Sequence, residues 1–189
     1  MEVLLIDHFD SFTYNLVQII ESCGASVKVV NYHPSIIRKA EKFDKIVLSP
    51  GPGLPNDYPC TIELINHFRQ NKDFLGICLG LQAIAIAFGS KLFKQSEVRH
   101  GQNIQIIQTK LNKESVMFNL PMTFEAALYH SWAVDETTLY EGLDVTARTD
   151  NNVIMGLKHK DFVIEGVQFH PESFLCLEGK HLIQNWLNR

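Results

Sequence analysis

The sequence has few cysteines, and they lie far apart. Its four cysteines contain no Cys-x-x-Cys pair: Cys23, Cys60, Cys78 and Cys176. This scatter argues against a disulfide framework and against a structural zinc site. The histidines and cysteines also fail to cluster at the regular spacing of zinc ligands. We therefore expect no structural metal in this chain.

A basic surface and a long apolar run are also missing. The net charge is -4 and the pI is near 6.0, which argues against nucleic acid as a partner. No apolar run approaches the ~18 residues of a membrane span. The N-terminus lacks the basic start of a signal peptide and reaches acidic residues at once. We expect a cytoplasmic protein that binds metabolites or other proteins, and neither nucleic acid nor membrane.

The first half of the chain alternates short apolar runs with helical patterns. Residues 2–6 and 45–49 are typical of buried strands, whereas residues 12–23 carry apolar side chains at helical spacing. Strands that alternate with helices of this length favour right-handed crossovers and a parallel sheet covered on both faces.

Beyond Gly89 the pattern changes to short alternating segments, one of them predicted over residues 128–134. Asn151-Asn152 is a predicted hairpin turn. We predict one α/β domain over residues 1–189. Its open, mostly parallel, twisted sheet is flanked by helices, and a smaller antiparallel strand element lies in the C-terminal half.

A predicted strand meets a predicted helix at Gly76-Ile-Cys78-Leu-Gly80. The pattern is typical of a nucleophile elbow, whose glycines let strand and helix approach while the reactive side chain is held out of the sheet. A helix N-terminus also favours the thiolate, which is the form of cysteine that attacks. Taken alone, the turn fits a buried core cysteine equally well, so the other motifs must decide.

A rigid cluster, Pro50-Gly51-Pro52-Gly53, follows the predicted third strand. A thiolate that attacks a carbonyl creates an oxyanion, which needs backbone N–H donors fixed in advance. We predict one donor at Leu79 and another in this loop, because the ends of parallel strands face one crevice. A plain surface turn is the alternative for the loop by itself.

The segment Phe169-His170-Pro-Glu172-Ser173 places a histidine just past a strand, with a carboxylate two residues on. A cysteine nucleophile needs an imidazole that takes the thiol proton and later protonates the leaving amine. The carboxylate fixes the tautomer and orientation of that imidazole. An isolated His-Pro-Glu is more often a loop, but no other histidine of the chain combines these features.

Together these motifs resemble those of class I glutamine amidotransferase domains, in the same order and spacing over essentially the whole chain. The resemblance implies a flavodoxin-like three-layer fold and hydrolysis of L-glutamine to glutamate through a thioester, with ammonia passed to a synthase. It implies Cys78 as nucleophile, His170 as general base and acid, and Glu172 as the residue that orients His170. The set implied for glutamine and the oxyanion is Gly51, Pro52, Gly53, Leu79, Gln82, Ser131 and Trp132.

Within that family, residues 7–16, Tyr129-His-Ser131 and Arg99-His100-Gly101 are similar to the glutaminase subunits that serve chorismate-utilising synthases. The resemblance implies that the partner is a separate synthase chain. The main hypothesis is an anthranilate synthase of tryptophan biosynthesis. The alternative is an aminodeoxychorismate synthase of folate biosynthesis, or a glutaminase shared by both. The resemblance also implies that this chain holds no cofactor and that Mg²⁺ is bound by the synthase.

Three positions depart from the pattern of this subgroup, which usually has His at Leu81, Lys at Gln102 and Leu at Trp132. None removes a triad member. Leu81 and Trp132 are candidates for reshaping the glutamine pocket or the contact with the synthase. Two other hypotheses stay open: a cysteine hydrolase that acts alone on another amide or ester, and a non-catalytic regulatory subunit. The intact triad argues against the second of these.

Overall fold

The structure is a computed structural model, and it describes residues 1–95, 102–110 and 112–189. Within these ranges the first strands and helices alternate along the chain: β1 (Glu2–Asp7), α1 (Thr13–Ser22), β2 (Ser26–Asn31), α2 (Ile36–Ala40), β3 (Lys45–Leu48), α3 (Pro59–Phe68), β4 (Asp73–Ile77) and α4 (Leu79–Ala87). Strands then dominate until the last helix: β5 (Leu92–Lys94), β6 (Gln102–Gln108), β7 (Thr123–Leu128), β8 (Trp132–Val134), β9 (Leu143–Arg148), β10 (Ile154–His159), β11 (Ile164–Val167) and α5 (Gly179–Leu187).

Nine strands form one sheet in the order β2-β1-β3-β4-β11-β10-β9-β6-β7, and β5 pairs with β8 separately. The first five strands in this order, from β2 to β11, are parallel. The remaining four continue the same sheet in antiparallel fashion. The predicted α/β fold class is confirmed, although the antiparallel strands extend the main sheet and form more of it than the sequence suggested.

Each face of the parallel half has its own hydrophobic cluster. In β1, Val3 and Leu5 pack on the face covered by α1 and α5. Leu4 and Ile6 pack on the face covered by α2, α3 and α4. Such alternation is expected of a strand that is buried on both sides. The result is three layers, with the sheet in the middle.

One strand prediction is wrong. The strand predicted over residues 128–134 is divided, because β7 ends at Leu128 and β8 begins at Trp132. Most of β7 falls in a segment for which no strand is predicted, and it forms by pairing with β6, where Ile106 lies opposite Phe124. The predicted turn at Asn151-Asn152 does connect β9 to β10.

The order of the parallel strands reverses between β1 and β3, which is where ligands bind in open α/β sheets, beyond the carboxyl ends of the strands. The segments that leave these ends begin at His8, Ser49, Cys78 and Gln168. Within the described part of the chain, no helix has the length and apolar character that crossing a bilayer requires.

Candidate active site

Cys78 occupies a strained turn between β4 and α4. Its backbone angles are φ 51° and ψ -102°, a combination that residues other than glycine rarely adopt. The Cys78 N–H donates to the carbonyl of Val167 at 2.8 Å, which fixes the turn against β11. The side chain is buried, with 7% of its surface exposed. The geometry is that of the predicted elbow, with the thiol at the N-terminus of α4.

Glycines around this turn allow the close approach that the elbow needs. A Cβ at Gly76 would lie 2.5–2.6 Å from backbone atoms of Gly80 and Leu81. A Cβ at Gly80 would collide with the carbonyl of Leu48 at the end of β3. Because neither position has room for a side chain, α4 can begin directly over the sheet.

His170 and Glu172 form a buried pair beyond the end of β11. His170 Nδ1 lies 2.6 Å from Glu172 Oε1, and the side chains are 3% and 0% exposed. Burial alone would lower the pKa of His170. Interactions with Cys78 and with the Glu172 carboxylate outweigh burial and raise that pKa well above its usual value. The site therefore favours a charged imidazole beside the sulfur.

The other ring nitrogen of His170 is Nε2. Nε2 is buried and has no hydrogen-bond partner among the described residues, so it is the nitrogen left to exchange a proton with Cys78. Two aromatic rings hold the imidazole in place: Tyr129 at 5.0 Å and Phe12 at 6.1 Å between centroids, both edge-on. They restrict rotation of the imidazole while Glu172 fixes its tautomer.

The loop of Gly51, Pro52 and Gly53 lies directly against the elbow. A Cβ at Gly51 would come within 2.8 Å of Leu79 Cδ2, and Gly53 has φ 76°. The Tyr58 hydroxyl donates to the Pro52 carbonyl at 3.1 Å. Among the described residues, no hydrogen bond uses the N–H of Gly53 or of Leu79. These two donors are thus available to an oxyanion.

A buried histidine at the end of β1 supports the start of this loop. His8 is 1% exposed. Its backbone N–H donates to Ser49 Oγ at 2.9 Å, and Nδ1 lies 3.2 Å from the same oxygen. Nε2 lies 2.9 Å from Thr61 Oγ1. Burial lowers the pKa of His8 to about 4, despite the opposing effects of Ser49 and Asp7. His8 is therefore neutral at physiological pH.

A pocket of about 370 Å³ opens beside Cys78. It is lined by segments that converge from four regions of the chain: Gly51, Pro52, Gly53, Leu54, Cys78, Leu79, Gln82, Lys94, Tyr129, His130, Ser131 and Trp132. All seven residues predicted to bind glutamine or the oxyanion belong to this lining. A larger cleft of about 1020 Å³ runs along β2 and α2, and none of the predicted site residues lines it.

Two features of the pocket wall are already occupied by internal hydrogen bonds. Gln82 Nε2 donates to the Trp132 carbonyl at 2.9 Å and to Gln168 Oε1 at 3.1 Å. The Ser131 carbonyl accepts the N–H of Gln95 at 2.9 Å. These groups are therefore already engaged within the protein, whereas no hydrogen bond among the described residues uses the Gln82 side-chain oxygen.

Several site residues escaped the sequence predictions. His8 lies in a segment that the resemblance singled out, and Gln168 directly precedes another, but nothing assigned either residue a role. Their signal is a polar side chain that interrupts the end of an apolar strand. Lys94 also lines the pocket, and no motif marks it.

The two departures from the subgroup pattern whose side chains are described lie in different environments. Leu81 is fully buried in a cluster with Leu157 and does not line the pocket, so it does not reshape the pocket directly or touch a partner. Trp132 does line the pocket. Residues 99–101 lie outside the described ranges, as does the side chain of Gln102.

Comparison with known proteins agrees with this geometry. A family model described as glutamine amidotransferase class I matches residues 4–189. The anthranilate synthase component 2 of Lactococcus lactis is 42% identical over 189 residues, which is 99% of this chain and 94% of that protein. The aminodeoxychorismate synthase component 2 of Klebsiella aerogenes is 41% identical, covering 99% of this chain and all (100%) of that protein.

Among solved structures, a Thermoplasma acidophilum protein described as part of a GMP synthase is similar with a TM-score of 0.86. The similarity covers 100% of this chain and 92% of that protein, at 21% sequence identity. At this identity the likeness concerns the fold alone.

Proposed function

The chain belongs to the class I glutamine amidotransferase family, and we propose that it is the glutaminase subunit of a chorismate-aminating synthase. Cys78 is the nucleophile, His170 moves the protons and Glu172 orients His170. The observation that carries this assignment is the buried His170–Glu172 pair, 2.6 Å between Nδ1 and Oε1, set beside a cysteine in a strained elbow.

The reaction has two halves. In the first, the Cys78 sulfur bonds to the carboxamide carbon of glutamine and the C–N bond breaks, while His170 gives its proton to the departing ammonia. In the second, water attacks the thioester and His170 takes a proton from it. The C–S bond breaks, glutamate leaves and the sulfur is restored.

Charge develops on the carboxamide oxygen in both halves. The unused N–H groups of Gly53 and Leu79 border the pocket beside the sulfur, so they are placed to stabilise that oxygen. Glutamine has a carboxylate at its other end, and Lys94 supplies a positive charge in the same pocket. Ser131 and Trp132 line the same pocket.

The proposed partner is a separate synthase chain, to which this protein supplies ammonia in the cytoplasm. A role in anthranilate synthase is supported by the relative from Lactococcus lactis at 42% identity. A role in aminodeoxychorismate synthase is supported almost equally by the relative from Klebsiella aerogenes at 41%. In this proposal Mg²⁺ belongs to the synthase, and this chain needs no cofactor of its own.

Replacement of Cys78 by alanine tests the assignment. We expect Cys78→Ala to abolish product formation from glutamine, because no thioester can form, while the complex keeps its activity with free ammonia. Both rates would be measured with chorismate on the complex with each candidate synthase. Full activity with glutamine would exclude Cys78 as the nucleophile. Loss of both activities would instead indicate failure to assemble.

The other cysteines provide an internal control. An electrophilic glutamine analogue should label Cys78 alone, as shown by mass spectrometry of peptides. Burial raises the pKa of Cys176 to about 12, which makes its thiol a poor nucleophile. A label on Cys23, Cys60 or Cys176 would contradict the assignment. Release of glutamate without any synthase that uses the ammonia would favour a hydrolase that acts alone.

A further inference from the structure

The buried side chain of Gln168 contacts the sulfur of Cys78. Gln168 follows directly after β11 and is 0% exposed. Its Nε2 donates to Cys78 Sγ at 3.4 Å, which is a normal length for an N–H group bonded to sulfur. The contact joins residues 90 positions apart and depends on the pairing of β11 with β4, where Val167 lies beside Ile77.

A second glutamine fixes which end of the Gln168 amide meets the sulfur. Gln82 Nε2 donates to Gln168 Oε1 at 3.1 Å and to the Trp132 carbonyl at 2.9 Å. If the Gln82 amide were reversed, its oxygen would face two other oxygens. If the Gln168 amide were reversed, its NH₂ group would face that of Gln82, and its oxygen would face the sulfur. Only one assignment therefore makes all three of these contacts pair a donor with an acceptor.

We propose that Gln168 is a further residue of the reaction centre, whose amide nitrogen holds Cys78 Sγ as a thiolate aimed into the pocket. The proposal rests on the function proposed above, because it concerns the same sulfur. It goes beyond that function by adding a donor outside the Cys78, His170 and Glu172 triad and by naming Gln82 as its positioning residue.

The chemical advantage of an amide here is that it does not titrate. His170 must give up its proton to ammonia, and at that moment it stops stabilising negative charge. Gln168 keeps its N–H groups throughout the cycle. A hydrogen bond to a charged acceptor is also stronger than one between neutral groups. Gln168 therefore stabilises the sulfur when it first attacks and again when it leaves the thioester.

Replacement of Gln168 by methionine removes the donor and keeps a side chain of similar length. We expect kcat with glutamine to fall roughly 10-fold, as for loss of a hydrogen bond to a charged group, and KM to change little. The midpoint for alkylation of Cys78 by iodoacetamide should rise by about one pH unit, since a 10-fold smaller thiolate population corresponds to one unit. Both would be measured on the complex with its synthase.

A matched variant separates this effect from general loss of a buried amide. Gln108 is also a buried glutamine, 4% exposed. Its Nε2 donates to the carbonyls of Leu120 and Pro121 at 3.1 and 2.9 Å. We expect Gln108→Met to lower thermal stability and to leave the alkylation midpoint of Cys78 unchanged. If both variants moved that midpoint equally, the proposed role of Gln168 would be wrong.

The remaining outcomes are also decisive. If Gln168→Met does not fold, Gln168→Glu serves in its place. It preserves the size of the side chain and puts oxygen against the sulfur, so the alkylation midpoint should rise further. An unchanged midpoint and kcat in a folded variant would overturn the proposal for Gln168, even where Cys78→Ala still abolishes activity with glutamine. If Cys78→Ala is itself active, the proposed function fails instead.

Discussion

Two buried histidines lie at the ends of parallel strands, and the structure drives their pKa values in opposite directions. His8 follows β1 and contacts the hydroxyl groups of Ser49 and Thr61, and its pKa falls to about 4. His170 follows β11 and pairs with Glu172, and interactions with that carboxylate and with Cys78 raise its pKa well above the usual value. Both residues are almost fully buried, with 1% and 3% exposed.

The difference shows that burial does not decide the charge of these histidines. Desolvation disfavours the imidazolium in both places, but only His170 has anionic partners that outweigh it. A neutral ring suits His8, which holds Ser49 and the start of the loop at Gly51 in place. A charged ring suits the proposed role of His170, which is to deliver a proton to ammonia. In the proposed function, the end of β1 supports the loop and the end of β11 carries out the chemistry.

The variant with the largest expected effect on this comparison removes the charge of Glu172. Glu172→Gln keeps a side-chain oxygen near His170 Nδ1 but no longer stabilises an imidazolium, so the pKa of His170 should fall toward that of a buried neutral ring. We expect the rate with glutamine to fall about 10³-fold, within the range for loss of acid–base catalysis. In a plot of the rate with glutamine against pH, the inflection that arises from His170 should move to lower pH. Rates with glutamine and with ammonia, measured across pH, provide the check.

A second buried glutamate provides the control. Glu165 lies in β11 and is 1% exposed. Its Oε2 lies 2.8 Å from Arg189 Nη2, and neither residue lines the pocket. Glu165→Gln should reduce stability and leave the pH profile of the reaction in place. If Glu172→Gln remained within twofold of the unmodified enzyme, His170 would not depend on a carboxylate, and the contrast with His8 would lose its explanation.

The two strand ends also differ in how far the roles of their residues follow from sequence. The elbow at Cys78 and the acid beside His170 are local patterns, since a few neighbouring residues determine the geometry. The structure brings them together as predicted from the rule that parallel strand ends share one crevice. His8 carries no such local mark, because its partners Ser49 and Thr61 are 41 and 53 residues away.

The same reason explains what the sequence could not show in the antiparallel half. Residues 123–128, Thr-Phe-Glu-Ala-Ala-Leu, have a weak preference for strand. They become β7 because β6 is beside them. Gln168 likewise looks like an ordinary strand residue until β4 and β11 align and bring it to Cys78. Contacts set by strand pairing are invisible to patterns within one segment.

A smaller effect should separate the histidines by their influence on folding. The folded pKa of His8 is about 4 and an unfolded histidine has about 6.5, so the unfolded chain alone takes the proton between these values. As pH falls from 6.5 to 4, the free energy of unfolding should drop by roughly 3 kcal/mol through His8, about 2.5 pH units at 1.36 kcal/mol each. His170 has the opposite sign, and its stabilisation is lost as pH rises through its folded pKa.

Denaturant unfolding of His8→Asn between pH 7 and pH 4 measures this contribution. We expect the variant to be less stable at pH 7, because the contacts with Ser49 and Thr61 change, but to lose less stability as pH falls. The pKa of His159 is also lowered by burial, and its share cancels in the comparison of the two proteins. His181→Asn, at an exposed position of α5, serves as the control variant. Equal slopes for His8→Asn and the unmodified protein would contradict a neutral His8.

The smallest expected effect concerns Tyr58, which tests whether the support at β1 reaches the chemistry. Its hydroxyl donates to the Pro52 carbonyl at 3.1 Å and lies 3.3 Å from the His8 carbonyl. Tyr58→Phe keeps the ring against His8 and removes only these bonds, which contribute about 1 kcal/mol to stability. We expect kcat with glutamine to fall roughly threefold, because about 0.7 kcal/mol of loop positioning corresponds to that ratio, and KM to stay within twofold. A variant that loses stability but no turnover would show that the loop is fixed by Gly51 against Leu79 alone, and His8 would then support the fold without supporting the reaction.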